Sequence, residues 1–251
     1  MYQLPSTVGV RVPVCGVTST RERAFSASSR RLFAQPRVRR RHILVVSHMP
    51  DSGTGPVDAR ESQLDALCAE GWALFEEFDL RVRDKAFHPF VAADYDAVRA
   101  ALMRVRAPGL RFLEWGSATG VITIMADLLG FDAIGIELDA ALVRTANSLA
   151  TRFNSGARFV TGSFLPTGYR WQSPVANTTS WTTGDGRSGY LELGLALEEF
   201  DVVFGYPWGG EAPMMLDLMR QYGRADALLI LNDTTTGVHL FRGGREVSDT
   251  G

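Results

Sequence analysis

From Val57 to about Ala86, apolar side chains recur every three or four residues, at Leu64, Leu67, Cys68, Trp72, Leu74, Phe75 and Phe78, with Glu and Arg between them. That is the period of an amphipathic helix. Ala86-Phe87-His88-Pro89-Phe90 ends it, because proline disfavours helical geometry at the residue before it. A second helix is predicted over about Asp94 to Arg106, leading to Pro108-Gly109. The pattern then changes to short continuous apolar runs, Arg111–Trp115, Ala133–Glu137, Ala157–Thr161, Asp201–Gly205 and Ala225–Leu231. Helical stretches at about Val121–Leu129, Ala140–Phe153 and Pro213–Tyr222 separate most of them. Such alternation predicts an α/β fold: a doubly wound, mostly parallel sheet with helices on both faces and a ligand at the strand C-terminal ends.

Two stretches break the alternation. Gly162 to Phe200 is too long for an ordinary connection, and its Thr/Ser/Gly-rich part, Asn177 to Gly189, has no helical or strand period. It carries Tyr169, Trp171, Trp181 and Tyr190, and reads either as a lid or substrate wall or as a variable insertion. At the C-terminus, Gly237–Arg242 and Arg245–Val247 around Gly243-Gly244 predict a short hairpin.

The most informative local chemistry lies at the end of the first run, in Phe112-Leu113-Glu114-Trp115-Gly116-Ser117-Ala118-Thr119-Gly120. A strand enters a turn of small residues and a helix opens behind it. There the first N–H groups of the helix are unpaired and a ligand can approach closely. Glu137 follows Gly116 by 21 residues, at the end of the second run and before Leu138-Asp139. A carboxylate at that distance is placed to accept hydrogen bonds from ribose hydroxyls. An adenosine-containing cofactor is the implied ligand. The close glycines that admit a pyrophosphate, G-x-G-x-x-G, are missing; Gly116 and Gly120 flank Ala118 instead, and the acid Glu114 precedes them.

This pattern, E-x-G-x-(G/A)-x-G, resembles motif I of the class I S-adenosylmethionine-dependent methyltransferases. The resemblance covers roughly residues 86 to 236 and includes the order of the later strands. It implies a Rossmann-like methyltransferase fold and S-adenosyl-L-methionine as cofactor, with Glu114, Gly116, Ser117, Ala118, Gly120, Glu137 and Leu138 around it and Glu114 near its cationic methionine end. Ala118 stands where glycine is common. The third strand ends in Ser163-Phe164, which resembles the family's pair of a hydrogen-bonding residue and an apolar residue at the adenine ring. The fourth ends Gly205-Tyr206-Pro207-Trp208-Gly209-Gly210-Glu211, in the place of motif IV. Amino-group methyltransferases carry Asn, Asp or Ser followed by Pro-Pro-aromatic there. Pro207-Trp208 keep the last two residues, whereas Gly205 brings no side-chain acceptor for a nucleophile. Tyr206, Pro207, Trp208 and Glu211 are the expected acceptor-side residues, Trp208 reading either as an aromatic wall or as a core residue. Glu211, His88, Asp233 and His239 are the candidate bases, and His88-Pro89-Phe90 is expected to fold over the mouth of the site. The family's C-terminal end holds a helix and two longer strands, so the short hairpin leaves a sheet edge to be covered by the N-terminal segment or a second copy of the chain.

Charge divides the chain more sharply than its sum of −2 suggests. Residues 1–48 hold nine Arg and one acid, a net +8, and residues 49–251 carry a net −10. The first segment reads as a basic arm outside the fold, an organelle-targeting peptide, or residues upstream of the real start, and His42–Val46 as a strand if it joins the fold. Residues 49–108 then form a helical extension, and 109–251 the cofactor-binding domain. An acidic body argues against a large nucleic-acid footprint, although Arg37, Arg39, Arg40 and Arg41 could supply one. Cys15 and Cys68 match no metal or redox spacing and fit a reducing cytosol. The four histidines show no metal-ligand spacing, and no apolar run reaches the ~18 residues that span a bilayer.

Three functional readings follow: a methyltransferase acting on a small molecule or a protein side chain, a non-catalytic cofactor-binding module, and a nucleic-acid methyltransferase targeted by the Arg-rich arm.

Overall fold

Among the described residues, seven strands form one sheet in the order β3-β2-β1-β4-β5-β6-β7. They are β1 (Arg111–Trp115), β2 (Asp132–Glu137), β3 (Arg158–Thr161), β4 (Val202–Gly205), β5 (Leu228–Asp233), β6 (Gly237–Arg242) and β7 (Arg245–Glu246). The first five run parallel, β6 returns antiparallel along the whole of β5, and β7 pairs antiparallel with β6. The molecule is seen in a computed structural model that describes residues 56–82, 90–171, 186–208 and 210–247. The Arg-rich segment, His42–Val46, His88-Pro89, Trp181, Gly209 and most of the Thr/Ser/Gly-rich tract lie outside the described residues.

Strand alternation divides the core in two. On β1, Phe112 faces one layer and Leu113 with Trp115 the other; on β4, Val202 and Phe204 oppose Val203 in the same way. The first layer holds residues of helices α1 (Pro56–Val82), α2 (Tyr95–Val105), α3 (Val121–Leu128) and α4 (Ala140–Arg152). The second holds α5 (Gly189–Leu193), a 3-10 turn at Leu197–Glu199, and α6 (Ala212–Tyr222). Helices on both faces of a mostly parallel sheet with order 3-2-1-4-5 make the fold Rossmann-like and doubly wound.

The first two helices are not a separate layer outside the domain. Leu64 and Leu67 of α1 and Val98 and Leu102 of α2 are fully buried in the same core as Phe112, Ile124 and Phe204. At Gly71 a Cβ would lie 2.7 Å from Val121 Cγ2 and 3.0 Å from the Tyr95 ring, so α1 passes close to α2 and α3. Asp94 caps α2 by accepting the Ala97 N–H, and its own N–H donates to Asn232 Oδ1 on β5 at 3.0 Å. Residues Gly53–Gly251 accordingly form one compact unit.

Of the stretch from Gly162 to Phe200, residues 162–171 and 186–200 are described, and they carry more structure than the composition suggests. Ser163 pairs with Ser188 beside β3, Ser163 N donating to Arg187 O and Gly189 N to Ser163 O. Tyr169 and Tyr190 are buried in the second core. Both hydroxyls are paired there: Tyr169 donates to Asp217 Oδ2 at 2.9 Å, and Tyr190 accepts from Trp115 Nε1 at 2.8 Å. They are packing residues. The fifth strand also begins later than its apolar run, because Arg224 to Ala227 form a turn closed by Ala227 N donating to Arg224 O.

Candidate functional site

The strand order reverses between β1 and β4, and there a cavity of about 310 Å³ opens at the C-terminal ends of the parallel strands. Its walls come from four neighbouring strand ends: Gly162, Ser163 and Phe164 after β3; Ile136, Glu137, Leu138 and Asp139 at β2; Trp115, Gly116 and Ala118 at β1; Tyr206, Trp208 and Glu211 after β4. Phe90, Val91 and Met215 complete it. Three inter-strand steps make it roughly 14 Å long. A second cavity, on the α5 and α6 side, is lined by Ser188, Tyr190, Leu197 and Tyr222 among others, and by none of the expected cofactor-side or acceptor-side residues.

The turn after β1 is shaped by backbone geometry. Gly116 has φ +70° and a Cβ added to it would meet nothing within 4 Å, so the backbone is bare towards the cavity. Gly120, with φ +81°, has the opposite surroundings: a Cβ there would lie 2.5 Å from the Phe159 ring and 2.8 Å from Ala146. It lets α3 seat against β3 and α4 and does not line the cavity. Ala118 adopts φ +46° without being glycine, a conformation that costs an L-residue about 1 kcal/mol or more. Its N–H donates to Glu137 Oε2 at 2.8 Å, which holds it there. Ser117 is buried over Gly135 and also faces away from the cavity.

Glu137 connects this turn to β2. Oε2 accepts from Ala118, Oε1 accepts from Asp139 N at 2.9 Å, and the side chain is buried at the cavity wall. Burial raises its pKa, and the N–H groups of Asp139, Ala118 and Leu138 pull it back. Asp139 in turn caps α4 by accepting the Ala141 N–H.

Glu114 corrects the expectation placed on it. It shares the face of Phe112, so its carboxylate points towards α3, where Thr123 donates both its N–H (2.9 Å) and its hydroxyl (2.5 Å) to Oε2. It does not line the cavity; it ties β1 to the first turn of α3. Burial pushes its pKa from the ordinary 4.5 up to about 8, against the opposing pull of the Thr123 hydrogen bonds. A raised acid pKa means that the folded state holds a proton that the unfolded state has released. Stability therefore falls as pH rises through the window from about 4.5 to about 8. Glu114→Gln keeps the acceptor and cannot ionise. Its melting temperature should match the wild type near the low end of that window and exceed it above the high end, and parallel pH profiles for the two proteins would contradict this.

At the far end, Ser163 Oγ accepts from Leu165 N at 3.1 Å, and Phe164 stacks on Trp115 with centroids 5.4 Å apart and 21° between planes. Trp115 was not nominated from sequence, yet it forms the floor between the two ends. Its indole N–H is fixed by Tyr190, and its ring fills the space beside Gly205. A Cβ on Gly205 would meet Met215 Sδ at 2.8 Å and both Trp115 Cε3 and Leu231 Cδ2 at 3.3 Å. This is the physical reason for glycine at that position.

After β4, Pro207 is buried off the cavity, while Tyr206 and Trp208 stand edge to face at 6.5 Å and 67° on its wall. Glu211 is only 4% exposed; its Oε2 accepts from Trp208 N at 3.2 Å and it begins α6. Burial and the Asp233 carboxylate push the Tyr206 hydroxyl up to about 12. The other candidate bases lie elsewhere. Asp233 Oδ1 accepts from Thr235 N and Thr236 N in the β5–β6 turn, which lowers its pKa. His239 contacts Glu246 and Thr236 on the same hairpin. His88 lies outside the described residues, whereas Phe90 beside it does line the cavity, packed at 5.4 Å on both Phe75 and Phe78. Among the described residues no cluster suits a metal ion, and no helix is long and apolar enough to cross a membrane.

No protein-family model matches the chain, and no curated protein matches it. Among solved structures it is similar to a precorrin-6y C5,15-methyltransferase from Geobacter metallireducens, with 16% identity over 58% of this chain and 64% of that one and a TM-score of 0.39. An RNA methyltransferase from Salinibacter ruber, in complex with S-adenosyl-L-homocysteine, is 16% identical over 64% of this chain and 84% of that one, with a TM-score of 0.42. A tRNA (uracil-54, C5)-methyltransferase from Pyrococcus abyssi, also with S-adenosyl-L-homocysteine, is 17% identical over 60% and 31%, with a TM-score of 0.36. The chain thus spans less than two thirds of the length of the Geobacter and Pyrococcus proteins.

Proposed function

We propose that this chain is an S-adenosylmethionine-dependent methyltransferase acting on a small molecule or a protein side chain. The observation that carries the reading is the pairing of a buried carboxylate, Glu137, with the bare backbone of Gly116 across one cavity. A carboxylate that still has lone pairs beside a turn with no side chain fits a ribose and its extended arm. The lining fits the charge as well. Its ionisable groups include Glu137, Asp139 and Glu211, and among the described residues it holds no Lys, Arg or His. A pyrophosphate would meet repulsion there, whereas a sulfonium would meet attraction.

When bound, such a cofactor supplies a methyl group already activated for in-line attack, so the protein's work is positioning. Glu137 and the Ser163-Phe164 end hold the adenosine half in this reading. Trp115, held by Tyr190, forms the floor, and Tyr206 and Trp208 wall the acceptor half and keep water from it.

A non-catalytic cofactor-binding module is the second reading. One feature favours it: the place of a nucleophile-holding side chain on β4 is filled by Trp115 and Met215. Nucleic acid as acceptor has no support from the cavity, which brings carboxylates and no described cation to the acceptor.

Labelled methyl transfer separates these readings. With methyl-labelled S-adenosylmethionine and a cell extract, label should enter the metabolite or protein fraction. Label confined to RNA or DNA would support nucleic-acid methylation, and tight cofactor binding with no incorporation in any fraction would support the module.

A further inference from the structure

The turn that carries Gly116 and Ala118 is held from α1 as well as from Glu137. Phe78 of α1, Phe90 and Leu142 of α4 form a buried cluster, against which Phe75 and Ala118 pack. Phe90 stands edge to face with both Phe75 and Phe78, at 5.4 Å in each pair. Seven residues before Phe78, the close approach of Gly71 to Val121 brings α1 against the first residue of α3, directly after Gly120. Leu142 lies in the first turn of α4, just beyond its cap Asp139. Phe90 continues through Val91, which also lines the cavity, to Asp94, whose N–H is accepted by the buried Asn232. The cluster thus touches the same two loops that Glu137 joins by hydrogen bonds, the Ala118 turn and the start of α4. Phe78 and Leu142 do not themselves line the cavity.

We infer that α1 is part of the cofactor site, with Phe78 a positioning residue that acts through Ala118 and Leu142. This rests on the cofactor reading above and adds to it an element from outside the strand-turn-helix units. The reason lies in the two N–H groups that orient Glu137. Ala118 N donates to Oε2 and Asp139 N to Oε1, one from each loop, so the carboxylate is fixed only while the loops keep their spacing. Ala118 makes its bond from φ +46°, a conformation that an L-residue leaves readily. Packing from α1 on one loop and Leu142 on the other opposes that relaxation. Truncating Phe78 leaves a void in the cluster, which its neighbours refill only partly. Ala118 can then leave the left-handed region and take one donor from Glu137 with it. Apparent Kd is the intrinsic value divided by the competent fraction, so a turn that keeps its geometry a tenth of the time binds about tenfold more weakly.

The test compares Phe78→Ala with Leu64→Ala in the full chain. Leu64 is fully buried on the same helix, about 21 Å away along its axis, so its truncation costs stability without touching the cluster. Calorimetric titration with S-adenosylhomocysteine should show affinity about tenfold weaker in Phe78→Ala and within about twofold of wild type in Leu64→Ala. Hydrogen exchange without ligand supplies the second readout. The Ala118 and Asp139 N–H groups should exchange about tenfold faster in Phe78→Ala, beyond any rise at the β1 amides, which report global stability. In Leu64→Ala the turn and β1 amides should change together or not at all. Phe78→Leu keeps an apolar body and should lie between Phe78→Ala and wild type; set against Leu64→Val, it makes the same comparison if an alanine variant does not fold. An unchanged Kd in the Phe78 variants, an equal loss in the Leu64 variants, or turn amides that rise only with those of β1 would overturn the inference. Failure of the wild type to bind S-adenosylhomocysteine would count instead against the cofactor reading, and the exchange comparison would still decide whether α1 holds the turn.

Discussion

S-adenosylhomocysteine should stabilise the wild-type protein, and Gly116→Val should abolish that gain. A ligand that binds only the native state stabilises it by RT ln(1 + [L]/Kd), about 2.7 kcal/mol at a hundredfold excess over Kd. Gly116 has φ +70°, and its missing Cβ faces space where nothing of the protein lies within 4 Å. Valine would place two methyl groups in that space. It would also strain the turn, since a β-branched residue rarely adopts positive φ, so the variant should be less stable even without ligand. The informative quantity is therefore the ligand-induced change within each protein, read from denaturant melts with and without S-adenosylhomocysteine. Wild type should gain and Gly116→Val should not. An equal gain in both would place the ligand away from this turn.

The second large effect is expected at Gly205. Restoring a polar residue there, as Gly205→Asn, should cost about 1–3 kcal/mol as an overpacking change, with no gain in transfer. The Cβ alone would come within 2.8 Å of Met215 Sδ, and the amide beyond it would press on the Trp115 ring, whose indole N–H is bonded to Tyr190. Part of the loss should return in Gly205→Asn combined with Met215→Ala, because removing the thioether opens the crowded space. Residues in contact are not additive, and the cycle measures that coupling. If Gly205→Asn melts like the wild type, the space beside β4 is not filled as described, and glycine there has another cause.

What was legible from sequence follows physical locality. Short apolar runs and the small-residue turn were enough to order β1, α3 and β2, and Glu137 fell in place because strand and helix lengths fix the distance between neighbouring strand ends. The face of Glu114 was also readable in principle: on a strand it shares the side of Phe112, and Trp115 takes the other. A motif reading placed it at the ligand, where alternation would have turned it to α3. The second core was not legible. Tyr169 with Asp217 and Trp115 with Tyr190 are partners separated by 48 and 75 residues, joined through a stretch with no local period. For the same reason Trp115 did not read as the floor of the site, nor Gly205 as a consequence of it. Asp233 and His239 show the converse error, since residue type alone nominated them as bases and the hairpin turn uses both.

The central claim is that the cavity between Gly116 and Glu137 holds a sulfonium-type adenosine cofactor. Calorimetric titration tests it most directly, with S-adenosylmethionine and S-adenosylhomocysteine set against NAD on the wild type and on Glu137→Ala. The account predicts saturable binding of both sulfur nucleosides, a clear loss of affinity for them in Glu137→Ala, and no binding of NAD. Binding of NAD with no response to either sulfur nucleoside would contradict it.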